Sequence, residues 1–160
     1  MEVYRIVKEP FQAALYDPLS VIGSKTNGGG RWNPPQYGGL YTATSPALAL
    51  LETMVHFPRV GYGQLPSLYL LTIEIPDVSE SIFWTDPMAL PPFWRTGTLT
   101  QTQSVFVDWL ESPFSLALGV PSVIIDTSYN LLIHPDHPLF SQISLTGVGQ
   151  LPFDVRLWPS

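Results

Sequence analysis

The chain has 160 residues, 45% of them hydrophobic and only 12% charged, so it is long enough for one buried core and too short for two ordinary domains. Its net charge is −6, from 7 basic and 13 acidic side chains, and the basic residues are scattered, which argues against nucleic-acid binding. The lack of cysteine excludes disulfides and thiolate metal sites. We therefore expect a single compact domain spanning residues 1–160.

The amino-terminal residues contain no positively charged segment followed by an apolar one, as a secretion signal would. No later apolar run approaches the ~20 residues that a membrane-spanning helix requires. We therefore expect a cytoplasmic protein that does not contact membranes. The 17 prolines and 12 glycines are spread along the chain, which indicates many turns between short elements.

The first predicted elements are short. Apolar and polar residues alternate over 3–7, which predicts a strand, and one helical turn is expected over 11–15. A long loop to Pro35 follows, and then a second strand over 39–44.

A helix is expected to begin at Ser45 and to end before Pro58. Serine caps the first amide groups of a helix, and Pro46 suits its first turn. Glu52 is the single carboxylate in this run, which is otherwise almost entirely apolar. We therefore expect Glu52 to be largely buried, and a buried carboxylate must be paired, protonated or functional.

The second half of the chain is predicted to be mainly strand. Strands are expected over 67–75, 122–126, 143–146 and 153–157, and a second helix over 103–110. Strands outnumber helices and do not alternate with them regularly, which favours an α+β fold with a mixed or antiparallel sheet core and few helices.

A glycine-rich segment precedes Arg31 and is the clearest candidate for ligand binding. Its three consecutive glycines permit positive φ angles, and their amides can form an anion-binding concavity. The segment is not a P-loop, because the following Arg-Trp-Asn-Pro-Pro cannot continue as a helix. Arg31, Tyr41 and Glu52 in this order suggest a site for an anion and a sugar. The alternatives are a flexible loop, an ion pair between Arg31 and Glu52, and a core position for Tyr41.

Other polar residues carry weaker signals. No Gly-x-Ser-x-Gly motif surrounds Ser122, so we expect a hydrogen-bonding hydroxyl and not a nucleophile. His134 and His137 are each followed by proline, which indicates a turn-rich loop and not a metal site. Four tryptophans are expected to form core or pocket walls: Trp32, Trp84, Trp94 and Trp109.

Six motifs follow one another along the chain. They are Tyr4-Arg5, Gly-Gly-Arg-Trp-Asn-Pro at 29–34, Leu-Tyr-Thr-Ala-Thr-Ser-Pro-Ala-Leu-Ala-Leu-Leu-Glu at 40–52, Val-Pro-Ser at 120–122, Asn-Leu-Leu-Ile-His-Pro-Asp-His-Pro at 130–138 and Phe-Asp-Val-Arg-Leu at 153–157. Together they resemble the RES domain family, which is named for an arginine, a glutamate and a serine. By this resemblance, the three residues are Arg31, Glu52 and Ser122. The resemblance covers almost the whole chain.

The resemblance implies a fold similar to ADP-ribosyltransferases and a toxin of a bacterial toxin–antitoxin module. Family members destroy NAD or, in some cases, ADP-ribosylate a protein. The implied catalytic residues are Glu52, Arg31 and Tyr41. The implied substrate-binding residues are Arg5, Gly29, Gly30, Trp32, Ser122 and Asn130. NAD would be a substrate, with no cofactor and no metal, and the acceptor stays open between water, inorganic phosphate and a protein side chain.

The resemblance also implies a partner, an antitoxin with an Xre-like helix-turn-helix that covers the active site. The residues do not determine the oligomeric state, and a homo-oligomer stays open. An alternative of another class is a non-catalytic interaction module, in which Arg31 and Glu52 form only a buried ion pair.

Overall fold

The computed structural model describes residues 1–9, 17–26, 28–79 and 81–158. The strands are β1 (Glu2–Lys8), β2 (Leu40–Ala43), β3 (Leu68–Glu74), β4 (Ile82–Trp84), β5 (Ala117–Pro121), β6 (Tyr129–Ile133) and β7 (Ser144–Leu151). The α-helices are α1 (Ile22–Thr26), α2 (Pro46–Met54), α3 (Leu99–Gln103) and α4 (Val107–Glu111). Short 3-10 helices lie at Tyr62–Gln64, Pro87–Ala89, Pro138–Gln142 and Val155–Leu157.

The seven strands form one sheet in the order β4-β5-β6-β2-β1-β3-β7. All neighbouring strands are antiparallel except β4 and β5, which are parallel. The prediction of an α+β fold with a mixed sheet and few helices is therefore confirmed.

The two faces of the sheet have different roles. Alternation along β1 sends Val3 and Val7 to one face, where they join the larger apolar core. Tyr4 and Ile6 point to the other face and pack with Ala43 against α2. We call the face covered by α2 the front face and the opposite one the back face.

Local sequence signals predicted the amino-terminal elements well. The strands expected over 3–7, 39–44 and 67–75 are β1, β2 and β3. Helix α2 begins as predicted, since the Ser45 hydroxyl accepts a hydrogen bond from the Leu48 amide at 3.2 Å. The helical turn expected over 11–15 lies outside the described residues.

Three predictions for the second half were wrong. The helix expected over 103–110 is two short helices, α3 and α4, interrupted at 104–106. No strand covers 122–126, because the Ser122 hydroxyl accepts from two nearby amides and turns the chain there. The segment 153–157 contains a 3-10 helix, because Asp154 caps its start.

The remaining differences are additions to the predicted elements. Strands β4, β5 and β6 were not predicted, nor was α1 within the first long loop. The strand expected over 143–146 continues to Leu151 as β7. None of the helices in the described residues has both the length and the apolar character that crossing a membrane requires.

Candidate active site

Glu52 lies on α2 between full burial and exposure, so the expectation that it is largely buried is met only in part. The buried residues of the helix are Leu48 and Ala49, which pack on the sheet, whereas Glu52 is partly exposed. Its Oε1 accepts hydrogen bonds from the Ser122 hydroxyl, at 2.8 Å, and from the Asn130 side-chain amide. Oε2 has no hydrogen-bond partner within the described residues. One carboxylate oxygen is thus anchored, and the other is available to a ligand.

Ser122 is completely buried and acts on the site through Glu52. Its hydroxyl donates its one hydrogen to Glu52 and accepts from the amides of Ile124 and Ile125 at 3.0 and 3.1 Å. The sequence predicted a hydrogen-bonding role for this residue and placed it among the substrate-binding residues. In this geometry the hydroxyl has no second hydrogen for a ligand, so Ser122 orients the carboxylate.

The backbone conformation and the close packing of the glycine-rich segment leave no room for side chains at its second and third glycines. Gly28 and Gly29 have φ angles of 81° and 83°, which L side chains rarely adopt. A Cβ atom at Gly29 would lie 2.2 Å from the Asn33 carbonyl oxygen. At Gly30 it would lie 2.3 Å from the Tyr41 hydroxyl oxygen. Glycine at 29 and 30 is therefore required by the packing of the loop.

Asn33 holds this loop from within. Its side chain is completely buried, and its Oδ1 accepts from the Gly30 amide at 3.0 Å and from the Tyr41 hydroxyl at 2.7 Å. Its Nδ2 donates to the Tyr37 carbonyl at 2.6 Å and also reaches the carbonyls of Ser24 and Pro34. One amide group therefore links the glycine-rich loop, Tyr41 and the start of β2.

Gln103, on α3, holds the same loop from outside. Its Nε2 donates to the carbonyl oxygens of Gly28 and Gly30 at 3.1 and 2.9 Å. The side chain is buried, so these two carbonyl oxygens accept the hydrogen bonds that water would accept from an exposed amide.

Replacing Gln103 with glutamate is expected to destabilise the protein by about 1–3 kcal/mol, because a carboxylate cannot donate and would face two carbonyl oxygens. The binding of an anionic ligand at the loop should weaken in parallel. Thermal denaturation and ligand titration would measure both effects. Gln150→Glu, at an exposed position on β7, is the matched control, and equal behaviour of the two variants would contradict the assignment.

Arg31 leaves the glycine-rich loop toward a wall of aromatic side chains. Its Nη1 donates to the Trp94 carbonyl at 3.0 Å, and the guanidinium is partly exposed. Trp32 is buried and packs against Trp94 and Phe106, with ring centroids 6.1 and 5.4 Å apart. No ion pair joins Arg31 to Glu52 in the part of the chain that the structure describes, so the ion-pair alternative is not supported.

The Tyr41 hydroxyl is fully engaged within the protein. It donates to Asn33 Oδ1 and accepts from the Trp32 amide at 3.2 Å. Burial raises the pKa of Tyr41 above its ordinary value of 10.0, opposed by the Trp32 amide and by the positive charge of Arg31. The phenol therefore stays neutral at physiological pH, and the ring is the part that remains available as a wall of the site.

Replacing Tyr41 with phenylalanine should lower the free energy of unfolding by about 1–2 kcal/mol at neutral pH, because Trp32 and Asn33 lose a partner. The raised pKa means that the stability contribution of the phenol is complete below pH 10.0 and is lost as the pH rises through the folded-state value. The variant should therefore lose less stability than wild type at alkaline pH. Denaturant titrations across pH would test this, with Tyr62→Phe, whose exposed hydroxyl donates to the Phe153 carbonyl, as the control.

Strand pairing brings the two groups of residues together. Tyr41 pairs with Leu132, and Ala43 pairs with Asn130, on the neighbouring strands β2 and β6. Tyr41 and Asn130 are thus diagonal neighbours on the front face, a relationship that spans about 7–8 Å in antiparallel sheets. Arg31, Tyr41, Asn130 and Glu52 therefore lie on the front face, and we call the surface between them the cleft.

Residues 2–155 match the sequence model described as the RES domain. This chain belongs to the RES domain family. Similar proteins include Toxin Res of Yersinia enterocolitica, 38% identical over 98% of this chain and 99% of that one. The Prs ADP-ribosylating toxin of a Sphingobium species is 39% identical over 88% of this chain and 87% of that one. The toxin–antitoxin complex MbcT–MbcA of M. tuberculosis contains a chain with the same fold, with a TM-score of 0.66, 20% identity and coverage of 94% of this chain and 83% of that one.

Arg31, Glu52 and Ser122, the three residues that the family resemblance predicted, do not contribute in the same way. Glu52 and Arg31 expose charged groups on the front face, whereas Ser122 is buried behind Glu52. Trp32 is also buried, so it supports the aromatic wall from behind.

Arg5 was predicted to bind substrate, but this RES domain does not place it in the cleft. Its neighbours Tyr4 and Ile6 face α2, so strand alternation sends Arg5 to the back face. There its Nη1 donates to the carbonyls of Pro18 and Ser20 at 3.1 and 3.2 Å. We do not include Arg5 in the candidate site.

His134 and His137 stabilise the loop that contains them. Buried His134 has Nε2 3.0 Å from the Leu110 carbonyl, and its Nδ1 accepts from the Asp136 amide. His137 Nδ1 accepts from the Leu139 amide, and burial lowers the pKa of His137. In the described residues, no cluster of three or more histidine, aspartate or glutamate side chains could hold a metal ion.

Two residues that support the site, Asn33 and Gln103, were not predicted from the sequence. Asn33 lies within the motif that carries the family resemblance, but nothing local indicates that its amide joins the loop to Tyr41. Gln103 contacts glycines more than 70 positions earlier in the chain, and no sequence pattern signals that contact.

Proposed function

We propose that this protein is the toxin of a bacterial toxin–antitoxin module and that it degrades NAD by cleaving the nicotinamide N-glycosidic bond. The observation that carries the proposal is the arrangement of Glu52, with one oxygen anchored by Ser122 and Asn130 and the other available on the front face. The names of the two similar proteins, Toxin Res and Prs ADP-ribosylating toxin, support it.

Glu52 is suited to stabilising the reacting sugar. When the bond between C1′ and the nicotinamide nitrogen breaks, nicotinamide leaves with the bonding electrons as a neutral base, and positive charge develops on the ribose. A fixed carboxylate nearby lowers the energy of that charge, and more strongly once the bound substrate has displaced water. The hydrogen bonds from Ser122 and Asn130 hold the carboxylate in place, so little reorganisation is needed during the reaction.

The glycine-rich loop and Arg31 are suited to the diphosphate of NAD. A guanidinium can donate two parallel hydrogen bonds to a phosphate, and amides of a glycine-rich loop can add others. The ring of Tyr41 would pack against the nicotinamide, since its hydroxyl is occupied by Asn33 and Trp32. NAD is then a substrate, and the proposed reaction uses no other cofactor.

The acceptor completes the reaction at C1′. Water would give ADP-ribose, and inorganic phosphate would give its 1′-phosphorylated form; in both cases the acceptor oxygen forms the new bond and its proton is released. The second candidate function is transfer of ADP-ribose to a protein. It is favoured by one observation, the 39% identity to a protein named Prs ADP-ribosylating toxin.

An antitoxin is the proposed partner, of the Xre-like helix-turn-helix type, bound over the cleft. Support comes from the structural neighbour, which is a toxin–antitoxin complex. The proposed site of action is the cytoplasm, where NAD is available.

The deciding experiment is NAD turnover by purified protein with and without inorganic phosphate, followed by chromatography of the products. Phosphate-dependent loss would establish phosphorolysis, and phosphate-independent loss with free ADP-ribose would establish hydrolysis. Label from NAD that appears on a lysate protein, with no free ADP-ribose or phosphorylated ADP-ribose, would establish transfer. No loss of NAD in any condition would refute the proposal.

A further inference from the structure

Arg95 connects two segments that flank the proposed site, which we call its two walls. One wall is the loop around Trp94, whose carbonyl binds Arg31, and the other is the turn that begins at Ser122 and anchors Glu52. Arg95 Nη2 lies 3.3 Å from Asp126 Oδ2, which belongs to that turn. The ion pair therefore joins the segment that contacts Arg31 to the turn that contacts Glu52.

This ion pair is easily exchanged. The side chains of Arg95 and Asp126 are 42% and 66% exposed, and exposed ion pairs contribute only about 0–1 kcal/mol. The Arg95 guanidinium also lies 4.9 Å from the centroid of the Trp94 ring. Stacking on a buried ring keeps the guanidinium near the cleft whether or not Asp126 is bound.

The charge of the proposed ligand requires more than Arg31. A diphosphate carries two negative charges. In the described part of the chain, Arg31 and Arg95 are the arginines that contact Trp94, one through its carbonyl and the other through its ring. Three further basic residues contact other groups: Arg5 on the back face, Lys8 over the Phe57 ring and Arg156 with Asp154.

We propose that Arg95 is a second phosphate-binding residue, which exchanges Asp126 for the diphosphate of the dinucleotide when substrate binds beside Arg31. This assignment rests on the proposed function. Asp126 then acts as a competitor that occupies Arg95 in the free protein. A planar guanidinium gains two charge-assisted hydrogen bonds from a phosphate, which outweigh one exposed contact to a carboxylate.

Substitutions on the two sides of the ion pair should have opposite effects. Titration calorimetry with ADP-ribose should show Arg95→Gln weakening binding by about fivefold, whereas Asp126→Asn should tighten it by roughly two- to fivefold. If the ion pair only held the walls together, both substitutions would change the affinity in the same direction. A shared direction, or no change in Arg95→Gln, would overturn the assignment.

The other ion pair of the described residues is the matched control. Arg156→Gln and Asp154→Asn remove the same charges at a surface pair 2.7 Å long, and both should leave ADP-ribose binding unchanged. The affinity of wild type should also fall more steeply with ionic strength than that of Arg95→Gln, because one charge contact is missing in the variant. Equal salt dependence would contradict a direct phosphate contact.

Inorganic phosphate separates the two sources of a phosphate group. If Arg95 instead binds a free phosphate acceptor, Arg95→Gln should weaken phosphate binding and leave ADP-ribose binding intact, which overturns the assignment to the diphosphate. Failure of the proposed function has a different signature, since wild type would then bind ADP-ribose without degrading NAD. If wild type, Arg95→Gln and Asp126→Asn all degrade NAD with the same KM, the proposed function holds and the phosphate-binding role of Arg95 is refuted.

Discussion

Replacing Glu52 with glutamine is expected to reduce kcat for NAD cleavage by about 10²–10³-fold, the usual effect of removing one group that stabilises transition-state charge. Glutamine has the same shape, and its oxygen can still accept from Ser122 and Asn130. The substitution therefore removes the negative charge and little else. KM should change far less than kcat, because the charge matters most when the ribose becomes cationic.

Steady-state NAD turnover measured beside thermal denaturation would check this result. Glu74→Gln removes the same charge at an exposed position on β3 and should keep wild-type activity. Glu52→Gln should be as stable as wild type or more stable, since active-site charges often reduce stability. Normal NAD turnover in a folded Glu52→Gln protein would reject the proposed role of the carboxylate.

Replacing Asn33 with alanine is expected to cause the largest loss of stability, about 3–4 kcal/mol. The reason is the number of groups that lose a partner at this buried side chain: the Tyr41 hydroxyl, the Tyr37 carbonyl and the Gly30 amide, which would keep only the Asn33 backbone carbonyl. The glycine-rich loop should lose its shape, so the binding of ADP-ribose should weaken as well.

Denaturant unfolding would measure the first effect and calorimetry the second. Gln36→Ala, at an exposed position three residues along the same loop, should change neither. Asn33→Asp keeps an acceptor for Gly30 and Tyr41 but cannot donate to the Tyr37 carbonyl, so its stability should also be reduced. An Asn33→Ala protein as stable as Gln36→Ala would show that the loop does not depend on this side chain.

The cleft assembles from parts of the chain that support one another. Trp94 receives Arg31 on its carbonyl and Arg95 on its ring, while the turn after β5 provides Ser122 for Glu52 and Asp126 for Arg95. A substitution in either wall is therefore expected to affect the other through shared contacts.

Local signals in the sequence determined the elements that depend on neighbouring residues. Ser45 and Pro46 set the start of α2, because capping involves only the next few amides. The alternation of apolar and polar residues predicted β1 and β3, because successive side chains of a strand point to opposite faces of the sheet. The family motifs pointed to Arg31, Tyr41 and Glu52, which lie on the same face of the sheet.

Only the tertiary structure decided the partners of those residues. The sequence offered Arg31 as the partner of Glu52, but the pairing of β5 with β6 brings Ser122 and Asn130 to it instead. Strand alternation, read together with the position of α2, removed Arg5 from the site. Gln103 and Asp126 could not be assigned because their contacts join segments far apart in the chain. A local pattern specifies which way a side chain points along its own element, whereas the group that it meets depends on which elements become neighbours.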